Sequence, residues 1–308
     1  MSSSLTHEGA IRTHQEKALH QRVRRTLQRE IAAARAGLLR RLLTNEAVHH
    51  ARKRLKAARA TLRLLRSALE EEAYRRENLA LRDAAKPLGI SRDATVLAET
   101  ARRLVAKCAS AEIRAEAKRF VKHLERRADS ELERIRRTAG RRSAALLRRV
   151  RSRLARITMS QEAGQGIGAG LRATYRKGRQ QLKQARRDPS TERLHELRKQ
   201  SKYLHHQLQV IAPRRRSLRA EERGLRKLSS GLGKDHDLAV LAKLMQREKA
   251  QALPARAHHA LTALITRRRE KRQKKALQRA SELYATRPKH YEKRLMRQPR
   301  KPRALLER

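Results

Sequence analysis

The sequence predicts an all-α fold assembled from two equivalent sets of helices, each set the size of a four-helix bundle. Three observations predict it. Ala, Leu, Arg, Lys, Glu and Gln dominate the 308 residues, with only 12 Gly and 7 Pro, so helices are favoured and rarely interrupted. Apolar residues recur at spacings of three and four, as in Val48, Ala51, Leu55, Ala58, Leu62, Leu65 and Leu69. One long pattern also occurs twice. The first copy reads VHHARKRLKAARATLRLLR (Val48 to Arg66), followed by LGISRDATVL from Leu88. The second reads LHELRKQSKYLHHQLQVI (Leu194 to Ile211), followed by LGKDHDLAVL from Leu232. An offset of 146 takes His195, Arg198 and Lys202 to His49, Arg52 and Lys56, and an offset of 144 takes Gly233 and Asp237 to Gly89 and Asp93. Agreement in residue type and order points to duplication of a whole structural unit.

Residues 1 to 13 read as a polar, frayed start, and a long amphipathic helix is expected from His14 to Leu43. Asn45 is placed to cap a second helix that carries the first motif to Ala85, with a break near Glu70. Pro87 and Gly89 are expected to end it, Gly89 in the left-handed geometry that closes helices, and Asp93 to cap the next. A fourth helix runs through AEIRAEAKRFVKHLERRADSELERIRR, and a charged segment follows to Ile157. SQEAGQGIGAG (Ser160 to Gly170) carries four glycines at alternate positions. It has neither the spacing of a nucleotide-cradling loop nor a preceding strand, and reads as the hinge between the halves. The halves are therefore 14–157 and 158–285.

The second half repeats the plan. A helix over GLRATYRKGRQQLKQAR stops before Asp188-Pro189-Ser190, and the motif helix stops before Pro213. LSSGLGKDHD is expected to break the next helix, with Gly233 and Asp237 in the roles of Gly89 and Asp93, and a last helix runs from Ala257 to Ala285. Residues 286–308 hold three prolines and many charges and read as a mobile basic tail.

Charge narrows the function. There are 80 Lys+Arg against 30 Asp+Glu, a formal net charge of +50, which repels itself unless a polyanion lies nearby. A basic stripe of His49, Arg52, Lys56, Arg59, Arg63 and Arg66 runs beside the apolar stripe of the first motif, displaced by one residue, or about 100°. The second motif carries His195, Arg198, Lys202 and His205 in the same way, and Lys53 and Lys199 widen the two faces. Solvated helix faces usually alternate acids with bases; these stripes are nearly free of acids, which suits contact with an external anion. Matching stripes lie at Arg22, Arg25 and Arg29, and at Arg172, Arg176, Arg179 and Lys183. Facing inward, such stripes would form a positively charged channel in which Arg forks hold phosphate oxygens. His49 and His195 are read as phosphate donors, ahead of core or cap residues and of metal ligands.

The doubled pattern H-x-x-R-x-x-x-K-x-x-[RH], then L-G-x-x-[RH]-D-x-x-V-L, resembles the CHAD domain (conserved histidine α-helical domain) over about residues 14 to 285. The resemblance implies two pseudo-symmetric four-helix bundles around a basic central cavity that binds inorganic polyphosphate. It implies anion contacts at His49, Arg52, Lys56 and Arg59, with His195, Arg198, Lys202 and His205 opposite. His205 stands where the first half has Arg59, and His236 where it has Arg92, which implies either a weaker hold on phosphate by the second half at neutral pH or one that strengthens as those histidines protonate.

Other functions fit less well. The E-x-E-x-K signature of the triphosphatase domain that accompanies many CHAD domains is absent, Glu131, Glu133 and Arg136 having the wrong spacing, so hydrolysis by this chain alone is not expected. An enzyme acting on phosphoanhydrides would need a metal-holding carboxylate cluster, and the acids are scattered. His195-Glu196 begins like HExxH, but Lys199 occupies the second histidine position. No metal site and no cofactor are expected. Weak, non-specific nucleic-acid binding through phosphates is the alternative; one Phe, five Tyr and no Trp leave few platforms for stacking bases. The single Cys108 reads as a core filler and suits a reducing cytosol. The first residues contain no apolar run, so neither a signal peptide nor a membrane span is expected, and the location predicted is the cytoplasm, at polyphosphate granules.

Overall fold

The computed structural model describes residues 2–157, 163–213, 215–247 and 253–297. Among these the chain is all-α: α1 (Ser2–Leu38), α2 (Asn45–Leu64), α3 (Glu71–Val105), α4 (Ala111–Arg134), α5 (Gly140–Arg156), α6 (Ala163–Arg187), α7 (Thr191–Ile211), α8 (Arg219–Arg247), α9 (Ala255–Leu283) and α10 (Pro288–Met296). A π-helical turn, Ile135–Ala139, joins α4 to α5. No strand occurs among the described residues.

Several boundaries differ from the sequence reading. Helix α1 already begins at Ser2 and stops at Leu38. Helix α2 is capped by Thr44, whose hydroxyl accepts the Ala47 N–H at 3.1 Å, while the Asn45 side-chain oxygen accepts the Thr95 hydroxyl at 3.2 Å. The break near Glu70 is present as a short 3₁₀ turn, Arg66–Ala68.

The main correction concerns the two expected breaks after the motif helices. Helix α3 runs unbroken through Pro87, Gly89 and Asp93, and α8 through Gly233 and Asp237. Neither Gly89 nor Gly233 terminates a helix and neither aspartate caps one. An interior proline costs about 3 kcal/mol. Leu81, Ala84 and Leu88 before the expected break and Ala98, Ala101 and Leu104 after it are all buried. At ~1.5–3 kcal/mol for each large apolar side chain, that stripe outweighs the local penalty.

The glycine segment expected as a hinge is helical from Ala163 onward; residues 158–162 lie outside the described residues. Its glycines permit close helix packing. A Cβ on Gly170 would sit 2.7 Å from the Arg63 carbonyl oxygen and 2.9 Å from the Leu64 Cα. The tail expected to be mobile carries α10, whose Tyr291 stacks on Tyr175 with ring centroids 3.7 Å apart and donates its hydroxyl to Glu221 at 2.5 Å. That aromatic burial holds the helix down. Residues 298–308 lie outside the described residues.

Two hydrophobic cores result, and each draws on both halves of the chain. The larger joins Leu27, Leu55, Leu62, Leu81 and Leu147 to Leu171, Leu197, Leu204 and Leu228. The smaller joins Leu104, Phe120 and buried Cys108 to Leu241, Met245 and Leu261. Buried acids are paired: Glu77 accepts from Arg153 at 2.6 and 2.9 Å, and Asp235 from Arg269 at 3.2 Å. The motif helices α2 and α7 pack against each other, with α3 and α8 behind them.

Candidate functional site

Where α2 meets α7, the two basic stripes face one another. Arg52, Lys53 and Lys56 come from α2, and Arg198, Lys202 and His205 from α7, and their charges act on one another across the contact. Burial first, then Lys202, Arg52 and Arg198, push the Lys56 amine down to about 7. Burial first, then Arg198, Arg52 and Lys53, push that of Lys202 down to about 8. The cations here outnumber the acids that act on them, Asp93 and Asp237.

Helices α3 and α8 supply the back wall, and here the second part of each motif finds its role. A Cβ on Gly89 would lie 2.6 Å from Nη1 of Arg52, and one on Gly233 would lie 3.0 Å from Nη2 of Arg198. The glycines make room for two guanidinium groups. Arg52 donates to the Ala85 carbonyl and to Asp93, both at 3.4 Å. Among the described residues Arg198 has no such anchor: its buried Nε lacks a hydrogen-bond partner there, although the charges of Asp237 and Asp93 act on it. Asp93 and Asp237 thus orient or balance arginines. Burial pushes the Asp237 carboxyl up, against the pull of Arg198.

The histidines divide. His195 and His236 lie 4.5 Å apart between ring centroids, and the Nδ1 of each is buried without a partner. Burial, then His236 and Arg198, hold His195 down to about 4, and burial followed by Arg198 lowers His236. His49 is exposed and is lowered by desolvation and by Arg92. His205 is lowered mainly by burial, although Glu222 stands 3.7 Å away.

Other predicted site residues are engaged elsewhere. Arg59 donates to Asn78 at 3.1 Å, and Arg63 lies 4.4 Å over the Tyr203 ring. Lys199 pairs with Glu196 at 2.6 Å. On α1, Arg22 reaches the Ile211 carbonyl at 3.5 Å, while Arg25 and Arg29 are exposed. On α6, Arg172 pairs with Glu292 at 3.0 Å, Arg179 donates to the Ala285 and Thr286 carbonyls that follow α9, and Arg176 and Lys183 are exposed. The α6 stripe therefore serves partly to fasten α9 and α10. Sequence reasoning left out Arg92, Arg103 and Arg226, whose charges act on His49, Asp237 and His205. Only Arg92 had a signal, as the residue before Asp93 in the repeated pattern. Among the described residues no three His, Cys, Asp or Glu side chains converge to hold a metal, and no helix is long and apolar enough to cross a membrane.

This arrangement of arginines and lysines on the two motif helices can be set beside known proteins. A family model of the CHAD domain matches residues 17–246. The chain belongs to the CHAD family. The match takes in both motif helices and both glycine–arginine contacts; α9 and α10 lie beyond it. Among solved structures the CHAD chain is similar to PptA from Streptomyces chartreusis, with a TM-score of 0.61 and 16% identity over 86% of this chain and 99% of that one. That likeness is one of fold. A search of curated proteins finds no match.

Proposed function

We propose that the protein binds inorganic polyphosphate without transforming it, the phosphate chain lying between α2 and α7, and that it associates with polyphosphate granules through this site. The observation that carries the reading is Arg198, whose buried Nε has no hydrogen-bond partner among the described residues. Such a donor is costly unless an outside acceptor satisfies it. Arg52, Lys56 and Lys202 surround the same space, and membership of the CHAD family agrees with a polyphosphate ligand. All five tyrosines and Phe120 are buried, so stacking of single-stranded bases has no aromatic platform.

The test is binding of long-chain polyphosphate at physiological salt, with RNA and duplex DNA as competitors at equal phosphate concentration. Sub-micromolar binding that survives excess nucleic acid is expected, as is its loss in the double variant Arg52→Glu, Arg198→Glu with helicity unchanged. Equal displacement by all three polymers would favour generic nucleic-acid binding, and retained affinity in the double variant would move the site elsewhere.

A further inference from the structure

Two backbone irregularities meet at one cavity in this fold. Pro87 lies inside α3, where it has no amide hydrogen to give to the carbonyl four residues before it. Between α4 and α5 the chain widens into the π-helical turn, in which the Gly140 N–H reaches the Ile135 carbonyl, five residues back. Such turns are rare and frequently mark functional sites. Both irregularities line a cavity of about 220 Å³, formed by Lys86, Pro87, Ile90, Arg134, Ile135 and Ala139. Its lining is mainly apolar. Ile135 is buried, whereas Ile90 is left 46% exposed, a large apolar side chain that the fold does not cover. The cavity lies beside the basic site, not within it. Ala85 and Gly89 are the α3 residues that meet Arg52. Lys86 and Ile90, each one residue further on, lie about 100° around the same helix.

We propose that this cavity binds a small amphipathic carboxylate, a single anionic group on an apolar body. A cavity of about 150 Å³ holds benzene, so the body here has about six to ten carbon atoms. Pro87, Ile90, Ile135 and Ala139 cover that part, and polyphosphate, which has no apolar surface, gains nothing from them. The carboxylate meets the two cations. Lys86 has no hydrogen bond or ion pair among the described residues, and Arg134 donates its Nε to Glu131 at 3.0 Å. Two cations against one acid leave a single positive charge, which matches a monoanion. The remaining N–H groups of the Arg134 guanidinium suit a carboxylate in particular.

The full-length protein is titrated calorimetrically with octanoate. Acetate, with the charge but no chain, and octanamide, with the chain but no charge, are the controls. Octanoate is expected to fill one site with a Kd of about 1 mM or tighter, and each control to bind at least about tenfold more weakly. Ile90→Asn alters an exposed position, so it should leave Tm nearly unchanged while weakening octanoate by about fivefold or more. The double variant Lys86→Gln, Arg134→Gln should weaken it by a similar factor. Arg52→Glu, Arg198→Glu should still bind octanoate, so this site and the polyphosphate site fail or hold separately. No saturable octanoate binding overturns the proposal, as does a control that binds equally well. Full affinity in Ile90→Asn, or loss of octanoate in Arg52→Glu, Arg198→Glu, also overturns it, because the ligand would then sit elsewhere.

Discussion

Substituting Gly89 by Ala separates the two readings of that glycine most cleanly. A glycine inside a helix is less favourable than alanine by about 1 kcal/mol. If Gly89 merely interrupted α3, the alanine variant would be more stable and would bind as before. The structure places the new Cβ 2.6 Å from Arg52 Nη1, so the guanidinium must retreat by about 0.8 Å to reach the 3.4 Å of ordinary contact. The obstructing atom is the far end of a flexible side chain, which moves at little cost to the fold. Arg52 itself is held loosely, by two hydrogen bonds of 3.4 Å. Losing one charge-assisted hydrogen bond to a bound phosphate would cost about 1.5–3 kcal/mol, or roughly tenfold to a hundredfold in affinity. Gly233→Ala crowds Arg198 less, its nearest atom being 3.0 Å away, and should weaken binding by less than about tenfold. Gly170 provides the contrast, because a Cβ there meets the backbone of Arg63 and Leu64, which cannot swing aside, and its alanine variant should lose about 1–3 kcal/mol of stability. Polyphosphate isotherms and thermal melts of the three variants decide the matter. Wild-type affinity in Gly89→Ala, with a raised Tm, would refute the claim that these glycines position arginines.

Stability and pH give further checks. Glu77 is fully buried between Arg153 and Arg76, so Glu77→Ala should cost about 3 kcal/mol in urea denaturation, whereas Asp83→Ala, which breaks the exposed pair with Arg82, should change stability by less than about 0.5 kcal/mol. Tyr291→Ala removes the ring stacked on Tyr175 and the hydrogen bond to Glu221, and should destabilise the protein by about 3–5 kcal/mol in the same assay. The half-buried lysines Lys56 and Lys202 predict opposite trends for folding and binding. With Lys56 down to about 7 and Lys202 to about 8, the folded chain binds fewer protons than the unfolded chain between about pH 7 and 10. Stability of the free protein should therefore rise with pH across that window, while affinity for polyphosphate falls as the cations are lost. Below about pH 6.5 the same rule makes the protein less stable as pH drops, because the unfolded state takes up protons that His195, down to about 4, and His206, down to about 3, resist in the fold. Thermal melts and isotherms at pH 5, 6.5, 7.5 and 9 check both signs.

The sequence was most informative where periodicity and charge coincide. The spacing of Arg52 and Lys56, and of Arg198 and Lys202, fixes which face of each motif helix is basic, and the apolar stripe one residue away fixes which face is buried. It was least informative where a residue type has two physical uses. Pro87 and Gly89 read locally as a stop, because nothing in their own segment reveals the Arg52 side chain that needs the space, 37 residues earlier in the chain. The Ser160–Gly170 glycines read as a linker for the same reason, while their described part abuts the end of α2. Arg172 and Arg179 look like members of a binding stripe, yet their partners, Glu292 and the carbonyls after α9, lie over a hundred residues away.

The same contacts give the repeat a physical meaning. Arg52 meets Gly89 on α3, and Arg198 meets Gly233 on α8, so the two motif segments in each copy are the two sides of one contact. That accounts for the slip from an offset of 146 to one of 144 between the segments. The intervening chain can change length by two residues as long as glycine still returns opposite arginine. The copies then diverge in how the guanidinium is held. Arg52 keeps the exposed Asp93 at 3.4 Å, whereas Asp237 beside Arg198 is half-buried, with its carboxyl pushed up by burial. A guanidinium with a weakened local partner is the one with most to gain from an outside phosphate. Of the two single charge reversals, Arg198→Glu should therefore cost more affinity than Arg52→Glu. The opposite order in binding isotherms would mean that the Asp93 pair, not the unpartnered Nε of Arg198, marks where the anion sits.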